Sequence, residues 1–247
     1  PSLVDGVELT GASYGGFIVG VMSALDSNVL FTRGTTIISP PLDFRYSLPY
    51  MDTLIDDELE NAYEIGYWDL IKIGSDYLTA SYYSDLGDSS RQNAKAFIAK
   101  HGFHDSIVNT IVTYDKVHNS GWVPKFDSRS DRLVWKKSIR FMNYFSTYAP
   151  EALDVLNSDV ANLSYWINTA LANGSSVRLL TAKNDFLNPP QFKTKIDFLI
   201  LPQDVYLELP SGGHLGFLAF PWYKEFRQLA WQVTEDSPVK MLAHLNP

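Results

Sequence analysis

The stretch Gly11-Ala-Ser13-Tyr-Gly15 holds a serine between two glycines, with Gly16 following. That spacing suits a sharp strand-to-helix turn. The serine takes a strained backbone conformation with its hydroxyl projecting, and the glycines let neighbouring segments approach. The backbone N–H of Tyr14 would stand at the helix N-terminus, where it can donate to an oxyanion. A serine hydroxyl is a weak nucleophile alone and needs a base and an orienting acid. Two later stretches offer them. "VRLLTAKNDFLNPP" ends a strand-like run with Asp185, and "VYLELPSGGHLGF" ends another with His214, freed by two glycines. G-x-S-x-G arises by chance, a loop aspartate commonly caps a helix, and a lone histidine is commonly inert. All three at the ends of apolar runs, in the order Ser, Asp, His, point to a nucleophilic triad for acyl transfer.

Such side chains need a rigid frame. Short apolar runs at 7–10, 35–41, 176–185 and 204–210 have the character of buried parallel strands. Helical patterns lie between them at 17–26, 159–172 and 189–198, and an aromatic helix is expected at 220–233. Strand and helix alternating in this order predict right-handed βαβ crossovers and an α/β fold with a parallel sheet.

The stretch 42–158 breaks the alternation. "DDELENAYEIGYWDLIKIG" repeats aromatic and aliphatic residues at helical spacing. "SSRQNAKAFIAKHGF" opens on serine caps and is expected to stop near Gly102, and "DRLVWKKSIRFMNYFSTY" forms a further helical pattern. Only "NTIVTY" hints at a short strand. The middle is therefore expected to be an inserted, mainly helical subdomain. The predicted organisation is 1–41, a core part with the serine turn; 42–158, a helical insertion; and 159–247, a core part with the acid and histidine.

Composition narrows the function. The net charge is −8, with Lys and Arg scattered, so no nucleic-acid partner is expected. No apolar run approaches the roughly 20 residues that span a bilayer. The chain has no cysteine, which removes disulfides, thiolate zinc sites and cysteine nucleophiles. His101 and His104 in "HGFH" have no third ligand beside them and are expected to be solvated helix-end residues; no metal or cofactor is expected. His118 and His244 lack any supporting pattern. Asn162-Leu-Ser and Asn173-Gly-Ser match the glycosylation tripeptide.

At Gly11–Gly16, Asp185 and Gly213-His214 the chain resembles the α/β-hydrolase superfamily, over roughly 1–41 and 160–235. The resemblance implies a nucleophile elbow at Ser13, an acid at Asp185, a base at His214 and an oxyanion donor at the Tyr14 N–H. Asp43 is an alternative acid, because some members place theirs after the strand that follows the elbow helix. The insertion at 42–158 corresponds in position to the cap many members carry. "ISPPLDF" and "GGHLGF" are similar to a carboxylesterase-like branch, which implies a small-molecule acyl substrate, most simply a carboxylic ester. "GASYGG" is similar to the prolyl-oligopeptidase elbow, and proline iminopeptidases carry a cap here, so a serine peptidase is the alternative. A non-catalytic binding protein on the same fold is a third reading. The family's second oxyanion donor comes from a loop after an early strand, and only about six residues precede the nucleophile strand here. An N-terminal segment or companion chain completing the sheet is therefore expected.

Overall fold

In the computed structural model, the described residues are 6–26, 30–31, 34–64, 66, 68–69, 72, 95–183, 185–188, 205–209 and 213–214. They form an α/β structure around a parallel sheet of four strands: β1 (Leu9–Ala12), β2 (Thr35–Ile38), β3 (Val177–Ala182) and β4 (Tyr206–Leu209). Sheet order follows chain order, β1-β2-β3-β4, and every neighbouring pair is parallel. β2 is four β-branched residues, a composition that fits a pleated surface packed on both faces. Of these, Thr35, Ile37 and Ile38 are buried. β3 buries five of its six residues, all but Arg178, so Val177, Leu179, Leu180 and Ala182 occupy both faces instead of alternating with exposed polar residues.

The chain falls into two compact units, residues 1–47 with 159–247, and residues 48–158. In the first, β1 leads through a one-residue turn into α1 (Tyr14–Leu25), and α7 (Leu163–Ala172) precedes β3. Phe17 and Val19 of α1, Leu163, Ile167 and Ala170 of α7, Ile37 of β2 and Val177 and Leu179 of β3 make one core cluster. Asn162 caps α7, its Oδ1 accepting from the Ser164 N–H and hydroxyl. That buried role removes the first glycosylation tripeptide from consideration.

The second unit is helical. α2 (Phe44–Glu64) starts in the first unit and runs into the second, carrying Pro49 in its second turn. A π-helical turn (Ile98–His104) passes without a break into α3 (Asp105–His118), followed by α4 (Arg129–Ser138), α5 (Phe141–Tyr148) and α6 (Glu151–Leu156). Three expectations are corrected here. Gly102 does not stop a helix but lies inside the π turn; a lone glycine costs a helix only about 1 kcal/mol, which its buried neighbours Ala99 and Phe103 outweigh. "NTIVTY" is helical, because Ile107, Val108 and Ile111 line one buried face at helical spacing. The pattern at 131–148 is two helices rather than one. Ile139 and Arg140 are extended between them, and the Asp52 carboxylate accepts from the N–H groups of Phe141 and Met142. A borrowed carboxylate thus satisfies orphan donors that a continuous helix would have paired internally. Burial pushes the Asp52 carboxyl up, against these two bonds. The expected helices at 189–198 and 220–233 and the serine caps at 89–90 lie outside the described residues.

Candidate active site

The turn after β1 shows why the glycines flank Ser13. Ser13 has φ 55° and ψ −134°, left-handed backbone that a residue with a Cβ adopts only under strain. Its N–H is held by the Ile38 carbonyl at 2.8 Å, and its own carbonyl accepts from Gly16 N at 2.9 Å. The chain therefore reverses from strand to helix within a single residue. At Gly11 a Cβ would press into the Gly15 carbonyl group and come within 2.5 Å of Val19 Cγ2, whereas one at Gly15 meets nothing within 4 Å. Gly11→Ala is accordingly expected to destabilise the fold by about 3 kcal/mol or more, since backbone cannot yield as a side-chain tip can. Gly15→Ala should fall within about 1 kcal/mol of the parent, the helix-propensity range. Urea denaturation of both variants checks the contrast.

The three triad candidates meet in the first unit. His214 Nε2 lies 2.9 Å from Ser13 Oγ, and His214 Nδ1 lies 3.2 and 3.3 Å from the two Asp185 oxygens. With an ionised Asp185 able only to accept, Nδ1 carries the proton and Nε2 is left to accept from the serine hydroxyl. The Asp185 side chain is fully buried and that of His214 is 13% exposed. Gly213, at φ 56°, supplies the left-handed step just before the histidine, and the Phe186 ring lies 5.0 Å from the imidazole.

Tyr14 is the first residue of α1, so its N–H is one of the helix's unpaired leading donors, beside the serine that precedes it. The residue is 61% exposed, and its ring meets Phe44 edge-on at 5.9 Å.

Asp43 is engaged elsewhere. Its Oδ1 accepts from Arg45 N and Nε at 2.9 Å, and its Oδ2 from Arg45 Nε at 3.0 Å and from the terminal guanidinium nitrogen at 2.6 Å. The bond to Asp43 raises the Arg45 pKa above its ordinary value, against the burial that lowers it. The structure thus brings Ser13, His214 and Asp185 together and places Asp43 on a guanidinium.

No protein-family model, curated protein or solved structure matches this chain. The chemistry of the site therefore rests on its geometry.

The remaining histidines do other things. His104 is fully buried rather than solvated, its Nε2 donating to the Lys136 carbonyl at 2.7 Å. His101 pairs with Asp105 at 2.7 Å, and His118 lies against Tyr114. Among the described residues no group of three or more His, Asp or Glu is placed to hold a metal ion, and no helix is long and apolar enough to cross a membrane.

Two contributors had no sequence signal of their own. Asn188 is 2% exposed and joins the loop carrying Asp185 to the loop after β2. Ser47 Oγ donates to the Leu187 carbonyl at 2.9 Å from the first turn of α2. These three bonds span 140 to 148 residues of chain, beyond any local pattern.

Proposed function

We propose that this chain is a serine hydrolase of the α/β-hydrolase type that cleaves a carboxylic ester through an acyl-enzyme. The observation that carries the reading is the hydrogen-bonded line from Ser13 Oγ through His214 to Asp185. His214 Nε2 takes the hydroxyl proton as Ser13 Oγ attacks the ester carbonyl carbon. Asp185 holds the imidazole in the required tautomer and faces the imidazolium that forms. The Tyr14 N–H donates to the carbonyl oxygen as it becomes an oxyanion. The imidazolium then protonates the departing alkoxide. Water, deprotonated by His214, attacks the acyl-serine; the imidazolium returns the proton to Ser13 Oγ as the acyl–oxygen bond breaks, and the carboxylic acid is released.

β1 is an edge strand among the described residues. A strand from an N-terminal segment or companion chain beside it would bring a loop to Ser13 and with it the second oxyanion donor. The helical unit corresponds in chain position to the cap that such enzymes insert, and its aromatic content fits an apolar acyl or aromatic group.

The test is a fluorophosphonate probe, which phosphonylates an activated serine. The purified protein should be labelled on the peptide containing Ser13, and Ser13→Ala should not be labelled. Folded protein that stays unlabelled would sink the enzyme reading. Hydrolysis of aminoacyl-arylamides in preference to p-nitrophenyl esters would move the assignment to a peptidase.

A further inference from the structure

The carboxylate at the end of the triad belongs to a turn, and a turn left to itself does not hold an oxygen to within a few tenths of an ångström. Asp185 opens that turn. Its carbonyl accepts from Asn188 N at 3.1 Å, and its Oδ1 accepts from Leu187 N at 2.9 Å while facing His214 Nδ1. Asp185 N donates to the Ala182 carbonyl of β3 at 3.2 Å, but none of these bonds ties residues 185–188 to the loop after β2.

The tie is the Asn188 side chain. Its Oδ1 accepts from Leu42 N at 2.7 Å and its Nδ2 donates to the Pro40 carbonyl at 2.7 Å. The two backbone groups lie two residues apart in the loop that follows β2. Ile38, the last residue of β2, holds the Ser13 N–H. Asn188 therefore links the acid's turn to the segment that also anchors the nucleophile's turn. Ser47 adds one more bond, to the Leu187 carbonyl.

Few side chains could replace it. One group must donate to a carbonyl and accept from an amide at once, in a site only 2% exposed. A carboxylate accepts but does not donate, and an aliphatic side chain does neither. Each failure strands a buried backbone group.

We infer that Asn188 is a positioning residue for the acyl-transfer chemistry, holding the Asp185 carboxylate against His214 by clamping the acid's turn to the loop after β2. The inference rests on the serine hydrolase reading and adds to it a residue outside the triad. Asn188 does not touch the reacting atoms. Its effect passes through the Asp185–His214 contact, so it should appear in the chemical step rather than in substrate binding.

The experiment compares Asn188→Asp and Asn188→Leu, both close in shape to asparagine, with Ile167→Ala as a control. Ile167 is fully buried in α7, and its truncation weakens the same core without touching the site. Steady-state hydrolysis of a p-nitrophenyl ester and fluorophosphonate labelling are followed across pH, with folding checked by circular dichroism. Both Asn188 variants should lose about 10²-fold in kcat with little change in KM, the scale expected for a catalytic group displaced by about 1 Å. Their pH profiles should change shape, because the imidazole that takes the serine proton is no longer held against its carboxylate. Ile167→Ala should lower the melting temperature without moving the pH profile.

Folded Asn188 variants with parental kcat and profile would overturn the assignment. So would losses that match the control and leave the pH profile in place, since that is what a purely structural role produces. If neither Asn188 variant folds, Ser47→Ala, which removes only the Leu187 bond, should still lower kcat several-fold and change the pH profile; an unchanged profile counts against the clamp. Failure of the parent protein to label overturns the hydrolase reading and the clamp together, whereas normal parent labelling with unaffected variants overturns the clamp alone.

Discussion

Alanine at Ser13, at His214, or at both is expected to lower turnover of a p-nitrophenyl ester by about 10⁶-fold in each case, with the double variant no worse than either single one. The reason is the 2.9 Å contact between His214 Nε2 and Ser13 Oγ. The hydroxyl reacts only as its proton leaves for the imidazole, and the imidazole has no chemical task without that proton. Removing either partner removes one event, and removing the second finds nothing left to remove. Two independent contributions would multiply instead, and a double variant far below both singles would break the proposed coupling. Residual rate above the uncatalysed reaction should survive in all three, because the Tyr14 N–H does not depend on either side chain. Neither substitution should unfold the protein, since each removes side-chain atoms from a partly exposed position and leaves the backbone bonds of the turn in place. A full steady-state comparison on protein shown to be folded by circular dichroism decides the point. Single variants that kept most of their turnover would place the chemistry elsewhere.

How much of this was legible in the residues depends on the range of the interaction that decides each feature. Parallel strands at 35–38 and 177–182 show in β-branched and aliphatic runs, because burial on both faces writes itself into consecutive residues. The serine turn is equally local: Gly11, Ser13 and Gly15 meet within one reversal of chain, so their spacing carries the constraint. Strand limits were harder, and β1 runs from Leu9 to Ala12 rather than from Val7 to Thr10. Its pairing with Thr35–Ile38, not its own composition, sets the ends. The break between α4 and α5 had no glycine or proline to announce it. Asp52 makes that break, from a helix almost 90 residues away in sequence. Asn188 is the same case at the site itself. In the sequence it is one polar residue before two prolines; in the fold its amide answers two backbone groups about 148 residues distant. Motifs report what short stretches of chain must do, while clamps and borrowed caps are settled only when distant segments meet.

The acid offers the sharpest separation between the two aspartates that the sequence left open. Asp185→Asn is expected to lower kcat by about 10⁴-fold with the fold intact. The amide would donate where the carboxylate accepted, so His214 Nδ1 would turn from donor to acceptor. Its proton would then sit on Nε2, facing Ser13 Oγ, where a base is needed. Asp43→Asn should do something different. The Asp43 side chain is fully buried and holds Arg45 through four contacts, so its neutralisation leaves a guanidinium partly buried without its counter-charge. Loss of one member of a wholly buried pair costs about 3–5 kcal/mol; with Arg45 about a third exposed, solvent reduces that to the order of 1–2 kcal/mol. The expected signature is a lower melting temperature with kcat within a few-fold of the parent, because no triad atom depends on the Asp43 charge. Rate loss without stability loss at Asp185, and the reverse at Asp43, would assign the acid by two independent measurements. The opposite pattern would move the acid to the loop after β2, and Asp185 would then be only the residue that opens a well-clamped turn. Such an outcome would also remove the reason for Asn188 to matter to the chemistry, so the two substitutions test the site and its support at once.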